Sequence, residues 1–138
     1  MEFGLWEKYY TEILDDFGFS RENDEESAKL LDEILSTEGC LTLNDLGKIV
    51  GFSDKFIVFG AGPSIKEHIQ MLKEDYDLKD SVLVSADGAT TAMIEEKLVP
   101  DIVATDLDGN IDDILIANIR RANIVVHAHG DNIEKIAS

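Results

Sequence analysis

The chain has a single cysteine, Cys40, among 138 residues. One thiol excludes an internal disulfide and a cysteine-ligated zinc cluster, and no nearby pattern supplies it with a base, so Cys40 reads as structural. There is no run of about 20 apolar residues, the length a helix needs to cross a bilayer, so no membrane span is expected. The start, Met1-Glu2-Phe3-Gly4, has no basic segment leading into an apolar one, so no secretory signal is expected. Basic residues are scarce as well, 12 Lys and Arg against 29 Asp and Glu, for a net charge of −17. A nucleic-acid binder carries a basic patch, and none can be drawn here. These absences point to a cytoplasmic domain with neither nucleic acid nor membrane as partner. Its length is enough for one core without staples.

Acid is what the sequence has in excess. Solvated helix faces account for much of it. A second use of acid is to hold divalent cations, and only the position of each residue distinguishes the two.

The first fifty residues carry helical periodicity. Phe3, Trp6, Tyr10, Ile13, Leu14 and Phe17 recur at three- and four-residue spacing and read as a packing stripe, which Gly18 ends. Ala28, Leu31, Ile34 and Leu35 share a face of a second helix, from about 24 to 36. Thr42-Leu43-Asn44-Asp45 reads as a capping box that opens a short helix to about Val50. From Lys55 onward the character changes. Phe56-Ile57-Val58-Phe59, Ser81-Val82-Leu83-Val84, Asp101-Ile102-Val103-Ala104 and Ile124-Val125-Val126-His127 are short β-branched runs of the kind buried on both faces of a parallel sheet. Helical stretches separate them, near 64–74, 89–97 and 111–122. The alternation predicts an α/β fold: an open, doubly wound, mostly parallel sheet with helices on both faces, preceded by a helical N-terminal region. The Gly51-Phe52-Ser53-Asp54 turn divides a helical region, 1–53, from an α/β core, 54–138.

Each strand leads into a turn with glycine: Gly60-Ala61-Gly62-Pro63-Ser64, Ala86-Asp87-Gly88, Thr105-Asp106-Leu107-Asp108-Gly109 and Ala128-His129-Gly130-Asp131-Asn132. A parallel sheet gathers such turns along its carboxyl edge, where open α/β sheets bind ligands. Aspartates crowded there repel one another, and Mg²⁺, which binds one or two carboxylates together with substrate phosphates, would relieve that repulsion. Each turn also has a plain reading. Gly60-x-Gly62 lacks the third glycine of a dinucleotide fingerprint and is not a Walker A loop. Ser64-Ile65-Lys66-Glu67 forms a capping-box pattern, which fits a simple helix start and does not exclude a phosphate cradle. Asp87-Gly88 alone is a common turn. Asp106-x-Asp108-Gly109 is the sharpest signal, because two like charges directly after a buried strand are costly. His127 and His129 alternate and would face opposite sides, and either serves as well for a hydrogen-bonded strand end. His68 reads as solvent-facing. No serine, histidine and acid fall into a triad arrangement.

Taken in order, these four blocks resemble the archaeal 6-hydroxymethyl-7,8-dihydropterin pyrophosphokinases, a family related to thiamine pyrophosphokinase. The resemblance covers most of the chain. It implies an enzyme, a 2-amino-4-hydroxy-6-hydroxymethyldihydropteridine diphosphokinase, that moves diphosphate from ATP to a pterin with Mg²⁺ and releases AMP in methanopterin- or folate-type synthesis. By motif, Asp106 and Asp108 would be the catalytic pair and the main Mg²⁺ ligands, supported by Asp87 and Asp131. Gly60, Gly62, Pro63, Ser64, Asp87 and Gly88 would meet the nucleotide and its phosphates, and His129 and Asn132 the pterin. Lys66, Arg120 and Arg121 are the cations nearest the site. The family continues past the His-Gly-Asp-Asn block into further strands, so this chain reads as a truncated member, weak or inactive alone. A homodimer is compatible with the sequence. Rival readings are a nucleotide-sugar-dependent glycosyltransferase of the wider family, a phosphatase suggested by Asp106-Leu107-Asp108-Gly109, and a nucleotide-binding fragment without activity.

Overall fold

The computed structural model describes residues 3–138. The described residues up to Gly39, together with Ala128–Ser138, form one compact unit, and Cys40–His127 form the other. The units are therefore drawn elsewhere than the division at 53 and 54. Helix α3 (Leu43–Val50) goes with the sheet, and the end of the chain goes with the N-terminal helices.

In the larger unit, β1 (Phe56–Phe59), β2 (Val82–Ala86), β3 (Ile102–Thr105) and β4 (Asn123–Val126) pair in parallel, in that order. Helices α4 (Ile65–Asp75), α5 (Ala89–Glu95) and α6 (Ile111–Ile119) make the three crossovers. Right-handed crossovers between successive neighbours bring all three helices to one face, and α5 accordingly packs against both α4 and α6. Ile57, Phe59 and Leu83 meet Ile69, Ala89, Ala92 and Met93, while Val103 and Ile124 meet Ile114, Ala117 and Ala122. Alanines at the contact let the helices approach the strands closely. Each large side chain buried in this way contributes roughly 1.5–3 kcal/mol.

The expected α/β class, parallel sheet and helical N-terminal region are all present. Reversal of strand order is what sends later crossovers to the second face, and the order does not reverse within these four strands. The three crossover helices thus lie on one side of them, and on the other side Val82 is fully buried and Val84 and Ile102 half-buried, while Phe56, Val58 and Val125 are exposed.

In the smaller unit, α1 (Phe3–Phe17) ends at Gly18, whose φ of 69° suits glycine. Helix α2 (Arg21–Glu38) starts where Ser20 accepts the Asn23 N–H, and it packs on α7 (Ile133–Ala137). Two sequence readings need correction. The α1 stripe is not a packing face among the described residues: Tyr10 and Leu14 are half-buried, but Trp6, Ile13 and Phe17 are exposed. The inward face of α2 is Asp24, Ser27, Leu30, Leu31 and Ile34, while Ala28 and Leu35 face solvent. The face is rotated because Ser27, fully buried, donates its hydroxyl to Asn132. Cys40, read as structural, is exposed, and His68 is exposed as expected. No helix among the described residues is long and apolar enough to cross a membrane.

Candidate active site at the carboxyl edge of the sheet

Three of the four turns meet side by side in the larger unit. The link between the first and second is Gly88, where an added β-carbon would sit 3.4 Å from Cβ of Ala61. The link between the second and third is Asp87. Its Oδ1 accepts the Thr105 hydroxyl at 2.9 Å and the Gly109 N–H at 2.8 Å, and its Oδ2 accepts the Asp106 N–H at 3.3 Å. Thr105 Oγ1 in turn accepts the Leu107 N–H at 2.8 Å. Asp87 and Leu107 hold left-handed backbone, φ 29° and 67°, which side chains disfavour and which these bonds hold in place.

This arrangement changes the reading of Asp87. Its charge is met by N–H and hydroxyl donors of the chain itself, so its presence here does not require a cation. Its direct work is to hold the loop that presents Asp106 and Asp108. Asp106 is half-buried and Asp108 exposed, and the Asp108 N–H donates to Asp106 Oδ1 at 3.3 Å. The Asp106 carboxyl is held below the ordinary carboxylate range, first by the Asp87 side chain, with which it can share a single proton, and then by the Asp108 N–H. Burial and the Asp108 charge oppose that shift.

The Gly60–Ser64 turn is exposed. Added β-carbons on Gly60 or Gly62 would meet nothing within 4 Å, and neither residue has left-handed φ. Nothing within the fold therefore demands glycine at these two positions, whereas at Gly109 a β-carbon would collide with Asp87 Oδ1. Ser64 precedes α4 at φ −95° and ψ 2° and makes no side-chain cap bond, so the capping box read at Ser64 and Glu67 is not formed. Lys66 pairs with Glu95. Arg120 and Arg121 follow the last turn of α6 and precede β4, which places them at the amino edge of the sheet, away from the turns. They are not near the site as the sequence reading had them.

The fourth turn belongs to the helical unit. Gly130 N–H donates to Asp24 Oδ1 at 2.8 Å, and Tyr10 donates its hydroxyl to Asp24 Oδ2 at 2.6 Å. A β-carbon on Gly130 would lie 2.7 Å from Asn23 Cβ, so the close approach requires glycine. Asn132, fully buried, accepts from the Ser27 hydroxyl at 3.1 Å and from the His129 N–H at 3.0 Å. His129 Nδ1 lies 2.7 Å from Asp131 Oδ1. Asn132 thus frames the turn, and His129 and Asp131 are the more exposed pair. His127 is exposed, its N–H bonded to the Thr105 carbonyl.

The bonding roles of Asp24, Ser27, Tyr10 and Thr105 escaped the sequence reading. The first two lie more than a hundred positions from their partners, and no local pattern marks such a pair. Thr105, adjoining Asp106, was within reach, because a hydroxyl at a strand end before an acidic loop is a natural brace.

Among the described residues, no group of three or more His, Cys, Asp or Glu is disposed to hold a metal ion. The Asp106 and Asp108 pair fits a cation of a different kind, one that takes one or two protein carboxylates and completes its shell with substrate phosphates and water, as Mg²⁺ does.

A parallel α/β sheet with glycine turns and a braced Asp-x-Asp-Gly loop at its carboxyl edge defines the class, an α/β protein with its ligand edge at the strand ends. The chain belongs to the 6-hydroxymethylpterin diphosphokinase MptE-like family, whose model matches residues 26–138. It is 51% identical over 133 residues to the 6-hydroxymethyl-7,8-dihydropterin pyrophosphokinase of Methanothermobacter thermautotrophicus, covering 96% of this chain and 55% of that protein. Proteins of the same name from Methanocaldococcus jannaschii and Pyrococcus furiosus are 46% and 42% identical, each over 99% of this chain and 56% of their own length. The chain therefore spans a little over half the length of these relatives.

Proposed function

We propose that this chain forms the nucleotide- and metal-binding part of a cytoplasmic enzyme that transfers diphosphate from ATP to 6-hydroxymethyl-7,8-dihydropterin, releasing AMP, in methanopterin- or folate-type cofactor synthesis. The observation that carries this reading is the Asp106–Asp108 loop, braced through Asp87 beside a glycine turn that its own fold does not need. Glycines without steric or φ demand leave backbone N–H groups open to a close ligand, and a phosphate chain is the ligand such a turn favours before a helix. Gly60, Gly62, Pro63 and Ser64 line that approach, and Gly88 adjoins it.

In this reading the pterin hydroxymethyl oxygen attacks the β-phosphorus, the bond from that phosphorus to the α-phosphate oxygen breaks, and AMP leaves. Positioning and charge neutralisation supply most of the acceleration in such transfers. Asp106 and Asp108 would hold Mg²⁺, which supplies charge neutralisation at the phosphates when bound. A carboxylate among these aspartates orients the attacking hydroxyl, and the depressed carboxyl of Asp106 favours the ionised form that suits a cation ligand. Asp87 holds the loop in place. Asn132 fixes the turn that carries His129 and Asp131.

The test is incubation with ATP, Mg²⁺ and the hydroxymethyl-dihydropterin, assayed for AMP together with pterin diphosphate. AMP without pterin diphosphate, or binding of a nucleotide-sugar in preference to ATP, counts against the assignment. One observation favours a second reading, nucleotide binding without turnover by these 138 residues: Lys66 is paired with Glu95, and Arg120 and Arg121 lie at the far edge. ATP binding with no product would support it.

A further inference from the structure

The face of the sheet opposite α4–α6 is apolar and partly open: Val82 is fully buried and Val84 and Ile102 half-buried, while Phe56, Val58 and Val125 are exposed. Register places Phe56 beside Val82, then Val58, Val84, Ile102 and Asn123 in one row, and Ala86, Ala104 and Val125 in the next. Val58 is 69% exposed, Phe56 54% and Val125 43%, and Ala86 and Ala104 are exposed beside them. Asn123 is the only polar side chain in the three rows, on a chain that is 30% charged. All-parallel sheets occur with both faces covered, because their strands are apolar on both sides. A contiguous apolar patch of this kind marks an interaction surface.

The relatives extend well beyond the match: these 138 residues account for 55–56% of their length. A second copy of this chain is a poor occupant, since two bodies of net charge −17 repel on approach. We infer that the open face is the seat of the part of the family chain that lies outside these 138 residues, which closes the sheet's second side whether joined to this chain or carried by a separate polypeptide. The inference is independent of the pterin reading.

The test uses a chain with Cys40→Ser and Val58→Cys, so that the one thiol reports on this face, and measures its rate of maleimide labelling. The partner is the remaining part of the Methanothermobacter relative, co-expressed separately in one arm and joined as a continuation of this chain in the other. The expected result is rapid labelling of the 138 residues alone and loss of labelling in at least one arm, the separate arm eluting as a one-to-one complex. Val58→Glu should leave the thermal unfolding of the 138 residues unchanged and weaken the separate complex about 100-fold, since it buries a charge without a partner. Unchanged labelling in both arms overturns the inference, and so does slow labelling of the 138 residues alone in a dimer, which would make a second copy the occupant. Neither result depends on catalysis, so an inactive preparation tests the inference equally well.

Discussion

Asp87 and Gly109, 22 positions apart, are joined by a 2.8 Å hydrogen bond from the glycine N–H to Oδ1, in a space that admits no β-carbon on the glycine. The carboxylate reaches into the third turn and is ringed by donors from Thr105, Asp106 and Gly109. The acidic loop is thereby a shaped object before any ligand arrives, and preorganisation of this kind lowers the cost of ligand binding.

Gly109→Ala forces the carboxylate of Asp87 away, breaking two or three of these bonds. The expected cost is about 1–3 kcal/mol of stability, in the range of other overpacked sites, read by urea unfolding. Gly60→Ala meets nothing in the fold and should leave the unfolding midpoint in place while weakening ATP binding in a calorimetric titration. If both substitutions proved equally harmful to folding, the contrast drawn between structural and ligand-facing glycines would be lost.

Asp87 separates from Asp106 in the same way. Asp106→Asn should cut product formation by about 100-fold or more if the loop neutralises charge in the transfer, with the unfolding midpoint nearly unchanged because Asp106 is only half-buried. Asp87→Ala should do the reverse first, lowering stability by about 1–3 kcal/mol through stranded donors and weakening Mg-dependent ATP binding as a consequence. Parallel unfolding and binding curves for the two variants check this ordering.

Much of the fold could be read from residues alone, and the reasons for the misses are physical. Apolar runs located all four strands because a parallel strand is apolar on both faces, yet nothing local states which face is covered, and Val58 is exposed. The α1 stripe failed for the same reason: periodicity shows that a face is apolar, not that a partner sits on it. Two capping-box patterns met different fates. Thr42 is extended, ψ 163°, and its hydroxyl accepts the Asp45 N–H, while Ser64 sits at ψ 2° and makes no cap bond. The acidic turns were legible as a set. The bonds that consume Asp87 were not, because they depend on the register of β2 against β3.

The buried pair in the helical unit gives a prediction that needs no ligand. Ser27 and Asn132 are both fully buried, and the asparagine oxygen accepts from Ser27 and from the His129 N–H. Asn132→Leu leaves both donors without this acceptor inside the unit and should cost about 2–4 kcal/mol. Ser27→Ala removes one donor and leaves the His129 bond in place, for about 1 kcal/mol. Amide exchange at His129 is the discriminating measurement, accelerated strongly in the first variant and little in the second.

Acid should loosen one end of α3 before the rest of the sheet unit. The Asp45 carboxyl is held below its ordinary value of 3.8 by the Thr42 hydroxyl, then by Lys48 and the Thr42 N–H. A carboxyl depressed on folding contributes stability that is fully present above its unfolded value and lost as pH falls through the folded one. The cap is therefore intact at neutral pH and opens only below about 3.8, as the carboxylate takes up its proton and ceases to accept from the Thr42 N–H. A pH series of amide exchange should show Thr42 losing protection in that window, and Asp45→Asn should remove most of the pH response while keeping an acceptor for the cap. Protection that held steady below the ordinary carboxylate range, or a response that survived Asp45→Asn, would assign the start of α3 to packing rather than to its cap.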